Sequence, residues 1–290
     1  MSIPIIAGLS EIAPRYRGFV LDIWGVVHQG GPAYPDAIAC LEELAKRNQP
    51  VVFLSNAPRR AQHVEALLER KGIARALHRG VISSGEVARN ALAARQAPEL
   101  AALGSAFYLI GAEHDDDLLD GLPYRRVGDV AVADFVLAIG LDDDPPTVAH
   151  HEAVLAGAAA RGLPMMCVNP DLVVVRLGVR ELCAGALAAR YRELGGPVRY
   201  FGKPYAPAYP PTMERLGLGS AKDVLAIGDG LETDIRGANA AGLGSLLVTG
   251  GILADALGID RHGLPEAAAL RQACVDAQAQ PDAAIAVLRW

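Results

Sequence analysis

Three carboxylates and one lysine stand at places where a chain commonly carries chemistry. Asp22 directly follows the apolar run Phe19-Val-Leu21, and Gly25 lies just beyond it, so the acid sits where a strand would end and the chain would turn. A carboxylate there can serve as a nucleophile or a metal ligand. Asp229 follows Val224-Leu-Ala-Ile227 and Gly228, and Asp234 closes the segment Gly228-Asp-Gly-Leu-Glu-Thr-Asp234 in a glycine-containing loop that leads into a helix. Three carboxylates meeting at one edge repel unless a hard cation sits among them, and oxygen-only ligation suits Mg²⁺. Lys203, in Phe201-Gly-Lys-Pro204, supplies a compact positive charge, while Ser55 and Asn56, after Val51-Val-Phe-Leu54, supply a hydroxyl and an amide. Cation, ammonium and neutral donors around one acceptor are what phosphoryl transfer needs, because its charge spreads over the equatorial oxygens.

Such residues converge only if the elements before them lie side by side. Short apolar runs that stop at polar residues alternate with helical patterns, the signature of βαβ units around a parallel sheet. Runs at 19–21, 51–54 and 224–227 read as strands, and 36–48, 60–71 and 207–216 read as helices with apolar spacings of three and four. In an open doubly wound sheet the carboxyl ends of parallel strands line one crevice, which would gather the polar residues named above. A second set of strands at 106–110, 135–139 and 165–168, with helices near 148–161 and 185–194, is enough for a separate layer. The acidic runs Asp115-Asp116-Asp117 and Asp142-Asp143-Asp144 read as solvated loops or helix starts, since consecutive carboxylates point apart.

Composition narrows the classes. At 290 residues, 51% hydrophobic and 21% charged, the chain can fill a core of one large or two ordinary domains. A net charge of −6 argues against a nucleic-acid partner bound through phosphate neutralisation. Cys40, Cys167, Cys183 and Cys274 form no CxxC pair, which points to small core residues in a reducing, cytoplasmic setting. No uninterrupted apolar stretch of about twenty residues suggests a membrane span, and the first residues lack the pattern of a secretory signal.

The order Asp22, Ser55-Asn56, Gly202-Lys203-Pro204, Gly228-Asp-Gly-Leu-Glu-Thr-Asp234 resembles the four motifs of the haloacid dehalogenase-like hydrolase superfamily. Its layout is similar to the subfamily with a large cap inserted between the second and third motifs, which includes pyridoxal-phosphate and p-nitrophenyl phosphatases. Asn169-Pro170-Asp171 resembles the Asn-Pro-Asp signature of that cap, and the stretch from Gly185 through Tyr191 to Pro204 resembles the way out of it. The resemblance implies an α/β fold with a Rossmann-like doubly wound parallel sheet core, residues 1–97 and 199–290, and an inserted α/β cap, residues 98–198. It implies that Asp22 attacks phosphorus to form an aspartyl-phosphate, and that Mg²⁺ is held by Asp22, the backbone carbonyl of Trp24, Asp229 and Asp234. Ser55, Asn56 and Lys203 would contact the phosphoryl group, with Asn169 and Asp171 facing the site from the cap. The expected ligand is a small phosphorylated metabolite, and the caps of related proteins leave room for a homodimer.

Trp24 departs from the resemblance. Phosphatases of the family usually carry a second Asp two residues after the nucleophile, which protonates the leaving oxygen and later activates water. Indole has no transferable proton, and losing a general acid/base typically costs on the order of 10²–10⁴-fold. Metal binding is spared, because the ligand there is a backbone carbonyl. The sequence thus predicts a Mg²⁺-dependent phosphatase with weakened acid/base catalysis, with His28 and Asp171 as the candidates to replace the acid. Trp24 itself reads as a core aromatic or as a wall against a planar substrate. Two other readings stand beside this one: a catalytically silent protein that binds a phosphorylated metabolite, and a dehalogenase-type hydrolase. Turnover separates the first and chelator sensitivity the second.

Overall fold

The computed structural model describes residues 3–111, 117–141 and 147–290. The chain begins with β1 (Gly18–Leu21), α1 (Pro35–Lys46), β2 (Val51–Ser55), α2 (Ala61–Arg70), β3 (Val81–Ser83) and α3 (Ser84–Ala94). It continues through α4 (Pro98–Ala101), β4 (Ala106–Ile110), β5 (Arg125–Val127), β6 (Phe135–Ala138), α5 (Glu152–Ala160) and β7 (Met165–Cys167). There follow β8 (Val173–Arg176), β9 (Val179–Leu182), α6 (Ala184–Glu193), β10 (Val198–Tyr200) and α7 (Tyr209–Leu216). Last come β11 (Val224–Gly228), α8 (Arg236–Ala241), β12 (Gly244–Val248), α9 (Ala267–Asp276) and β13 (Ala283–Ile285).

Six strands form one parallel sheet in the order β13-β12-β11-β1-β2-β3. Every residue of β1, β2 and β11 is buried, as expected of strands covered on both faces by helices. The chain moves outward from β1 to β2 and β3, then returns to β11 on the other side of β1. The order therefore reverses between β1 and β11, the kind of switch point at which open α/β sheets open a ligand crevice. The Asp22 N–H donates to the Ile227 carbonyl at 2.8 Å, so the two strand ends are level there.

Helices follow the sequence pattern with small shifts at their ends. Helix α1 starts with Pro35 in its first turn and buries Ala37, Cys40, Leu41 and Leu44 along one stripe. The Ser83 hydroxyl accepts the Glu86 N–H at 3.2 Å and caps the start of α3.

A second parallel sheet has the order β10-β7-β6-β4-β5. One apolar cluster contains Leu54 and Val87 beside the first sheet together with Phe107, Phe135 and Leu137 of the second, so the two sheets share a packed layer. A separate cluster, with Leu155, Leu187 and Tyr191, covers the far face of the second sheet. Between β7 and α6 the chain makes an antiparallel hairpin, β8 with β9. The edge strands β3, β5 and β13 have three residues each, too few to stand out as apolar runs. Among the described residues no helix is long and apolar enough to cross a membrane. Of the two acidic runs, only Asp117 lies within the described residues.

Candidate active site

Asp22, Ser55 and Asn56, and Asp229 lie at or just beyond the carboxyl ends of β1, β2 and β11, and all are buried. Asp234 lies in a single π-helical turn, residues Leu231–Ile235, that precedes α8. Ligand atoms of Asp22, Asp229 and Asp234 all fall within 4.8 Å of one another. The Lys203 ammonium sits among them, donating to Asp22 Oδ1 at 2.5 Å and to Asp234 Oδ1 at 2.7 Å. Two of the remaining carboxylate atoms are held by backbone donors. Ile252 N–H reaches Asp229 Oδ2 at 2.8 Å, and Gly230 N–H reaches Asp234 Oδ2 at 3.1 Å.

The electrostatics of this cluster are unbalanced. Burial pushes the Asp22 carboxyl up to about 7 against the pull of Lys203, with the Asp234 carboxylate adding to the rise. Asp229 is driven well above the ordinary carboxylate range, first by burial and then by Asp22 and Asp234. Burial opposes the charge on Lys203, yet the Asp22 and Asp234 carboxylates hold it above its usual value. With all three ionised, as cation ligands are, three buried carboxylates against one ammonium leave an excess of two negative charges. A divalent cation with oxygen preference matches both that excess and the all-oxygen donor set. The space is kept clear by Gly25, whose φ is +81° and where a Cβ would strike the Asp229 carboxylate.

Asn56 joins the two sheets. Its Nδ2 donates to Asp171 Oδ1 at 2.8 Å and to the Lys203 carbonyl at 3.0 Å, and its Oδ1 accepts the Lys203 N–H at 2.7 Å. The amide is thus a joint between the strand end of β2, the lysine and the loop after β7. Ser55 Oγ accepts the Ala57 N–H at 3.2 Å. In that loop Asn169 Oδ1 accepts the Asp171 N–H at 3.1 Å, an Asx turn that sets the direction of Asp171.

These groups open on one cavity of about 330 Å³ between the two sheets. One wall is the β8–β9 hairpin, whose strands are half-buried or exposed and carry Arg176, Arg180 and Glu181. Trp24 fastens that wall. Its Nε1–H donates to the Val175 carbonyl at 2.8 Å, and the Arg176 guanidinium lies 4.9 Å from its ring. The Leu177 N–H adds a bond to the Gln29 carbonyl at 3.3 Å. Trp24 is half-buried, lines the cavity and serves as a latch between the first loop and the hairpin. Arg59 and His63 also line the cavity; single basic residues near a helix start gave no signal of this in the sequence.

His28 lies behind Trp24, fully buried, with ring centroids 5.1 Å apart. Its Nδ1 accepts the Gly30 N–H at 3.1 Å, and burial, then Lys71 and Arg176, pull the ring down to about 4. The ring is held neutral at neutral pH and lines the cavity.

The chain matches the haloacid dehalogenase-like hydrolase family over residues 19–125 and a HAD-hydrolase-like family over 200–269. It is 30% identical over 261 residues to D-glycerol 3-phosphate phosphatase of Mycobacterium tuberculosis, a match covering 84% of this chain and 66% of that protein's length. Chronophin of Bos taurus is 27% identical over 270 residues, with 85% of each chain covered. A solved haloacid dehalogenase-like hydrolase from Brucella suis 1330 superposes with a TM-score of 0.82 at 30% identity, covering 98% of this chain and 99% of that one.

Proposed function

The chain belongs to the haloacid dehalogenase-like hydrolase family, and from that premise we propose that it is a Mg²⁺-dependent phosphatase acting on a small phosphate monoester. The observation that carries the reading is the Lys203 ammonium between Asp22 and Asp234, inside a triad completed by Asp229. The activity named for the mycobacterial relative, on D-glycerol 3-phosphate, supports the same reaction class. In this reading the catalytic core comprises residues 1–97 and 199–290 and the cap residues 98–198. That division is supported by the first sheet's strands, from 18–83 and 224–285, and the second's, from 106–200.

The Asp22 carboxylate attacks phosphorus and forms an aspartyl-phosphate, which water then hydrolyses. Asp22, Asp229, Asp234 and the Trp24 carbonyl would hold Mg²⁺, which when bound offsets the negative charge of the phosphoryl oxygens. Lys203 lowers the repulsion between the Asp22 carboxylate and the anionic substrate, and Ser55 and the Asn56 segment line the phosphoryl position. The hairpin wall, latched by Trp24, confines the ester group to the cavity and limits water.

The test is release of inorganic phosphate from an aryl and an alkyl phosphate, with and without Mg²⁺, by the wild type and Asp22→Asn. Mg²⁺-dependent release that Asp22→Asn abolishes supports the reading. Absence of release, with Mg²⁺ binding seen by calorimetry, overturns it in favour of a silent phosphometabolite-binding protein. Halide release from a haloacid that persists with chelator present, with no phosphate release from either ester, would argue for the dehalogenase-type alternative.

A further inference from the structure

We propose that Asp171, delivered from the second sheet, performs the proton transfers that Trp24 cannot; the proposal rests on the phosphatase reading above. The Trp24 N–H is committed to the Val175 carbonyl. His28 is fully buried and holds the Gly30 N–H on its Nδ1. Lys203 is bound between two carboxylates, and Asp229 and Asp234 belong to the acidic triad. Glu181 accepts from Arg176 Nε at 2.9 Å on the hairpin, and His63, 45% exposed, faces Asp117 at 3.6 Å. A guanidinium such as that of Arg59 does not give up its proton. The Cys183 thiol is pushed up to about 12 by burial, out of reach of neutral pH.

Asp171 differs from all of these in where it comes from and how it is held. It reaches the cavity from the loop after β7, and both it and Asp22, at the end of β1, line that cavity. One carboxyl oxygen is anchored to Asn56 Nδ2 at 2.8 Å, and Asn56 in turn is tied to the Lys203 backbone at 2.7 and 3.0 Å. Lys203 Nζ then contacts the nucleophile itself. This relay fixes the carboxyl to the same frame as the phosphoryl position, and among the described residues its second oxygen accepts no hydrogen bond. Burial raises Asp171 above the ordinary carboxylate range, against Lys203 and Asn56 and with help from Asp234, which favours the protonated form needed to start the cycle.

The balance of atoms is simple. As the Asp22 oxygen bonds to phosphorus and the bond from phosphorus to the leaving oxygen breaks, the Asp171 proton passes to that oxygen and yields the alcohol. Asp171, now a carboxylate, takes a proton from water as the water oxygen bonds to phosphorus and the Asp22 ester bond breaks. Inorganic phosphate leaves, and both side chains return to their starting states.

The test compares an alkyl phosphate, glycerol 3-phosphate, with p-nitrophenyl phosphate, whose leaving group departs without protonation. Asp171→Asn should lower kcat for the alkyl ester by about 10²–10⁴-fold, the usual share of a general acid/base. With the aryl ester it should give a burst of one p-nitrophenol per enzyme and accumulate phosphate bound covalently to Asp22, because only the second step then lacks its base. Asp171→Glu, which retains a carboxyl, should recover part of the alkyl turnover, and circular dichroism verifies the fold of both variants. Alkyl turnover at the wild-type rate in Asp171→Asn overturns the proposal. So does an equal loss on both esters with no burst and no phosphoenzyme. A wild type that releases phosphate from neither ester removes the phosphatase reading and this proposal with it.

Discussion

Replacing Trp24 by phenylalanine deletes one N–H donor and leaves an aromatic ring beneath Arg176. The bond lost is the 2.8 Å contact to the Val175 carbonyl, which lies on the cavity wall and is only half-buried. A neutral hydrogen bond of this kind contributes about 0.5–1.5 kcal/mol net. The stack with Arg176, at 4.9 Å, persists in weaker form, since phenylalanine holds a cation less well than tryptophan. A central value of about 1 kcal/mol corresponds to roughly a fivefold larger population of the detached hairpin, given that about 1.4 kcal/mol is tenfold. The remaining ties, Leu177 N–H to Gln29 at 3.3 Å and the Arg176–Glu181 pair within the hairpin, do not compensate. Limited trypsin digestion reads this directly, because Arg176 and Arg180 lie on the hairpin and cleavage of a transiently open segment follows its population. Mass spectrometry should show cleavage after these two residues about five times faster in Trp24→Phe, with the urea midpoint nearly unchanged. Cleavage at the wild-type rate would refute the latch. Faster cleavage shared equally by Arg70 and Lys71, at the end of α2, would mean that the whole fold had loosened instead.

Three further outcomes are expected. Mg²⁺ at a hundred times its dissociation constant should stabilise the folded chain by about 2.7 kcal/mol, seen as a thermal shift; if Asp229→Asn keeps that shift, the triad is not the site. Lys203→Met strips the partner from two buried carboxylates and should cost about 3–5 kcal/mol in urea unfolding, and a loss under about 1 kcal/mol would show that the ion pairs carry little. His28 titrates at about 4 in the fold against 6.5 for a free imidazole, so below 6.5 the unfolded chain binds the extra proton. Its contribution is fully present above pH 6.5 and drains as the pH falls toward 4. Between pH 7 and 5 the wild type should therefore lose on the order of 1–2 kcal/mol more than His28→Asn, whose amide oxygen can still accept the Gly30 N–H; parallel losses would place the ring in water.

Much of the fold was legible because the first sheet's inner strands are buried on both faces and must read as apolar runs. Gly18–Leu21, Val51–Ser55 and Val224–Gly228 are entirely buried, and each ends at or beside the polar residue that marked it. The hairpin at 173–182 escaped because its strands are half-buried or exposed, a pattern that a solvated loop also shows. Short edge strands such as Arg125–Val127, with two exposed arginines, carry no such run either.

The chain's order of motifs determined that Asp22, Asp229 and Asp234 would meet, since parallel strands of one sheet bring their ends to one edge whatever lies between, whereas Lys203 follows β10 of the second sheet and reaches them only through the packing of the two sheets. Sequence also determined that position 24 holds a side chain without a proton to transfer. What only tertiary structure decided is how each polar atom is spent. Trp24 meets Val175 across 151 residues, and Asn56 meets Asp171 across 115. Side-chain hydrogen bonds form over about 3 Å and depend on rotamer and loop path, neither of which local propensity or spacing encodes.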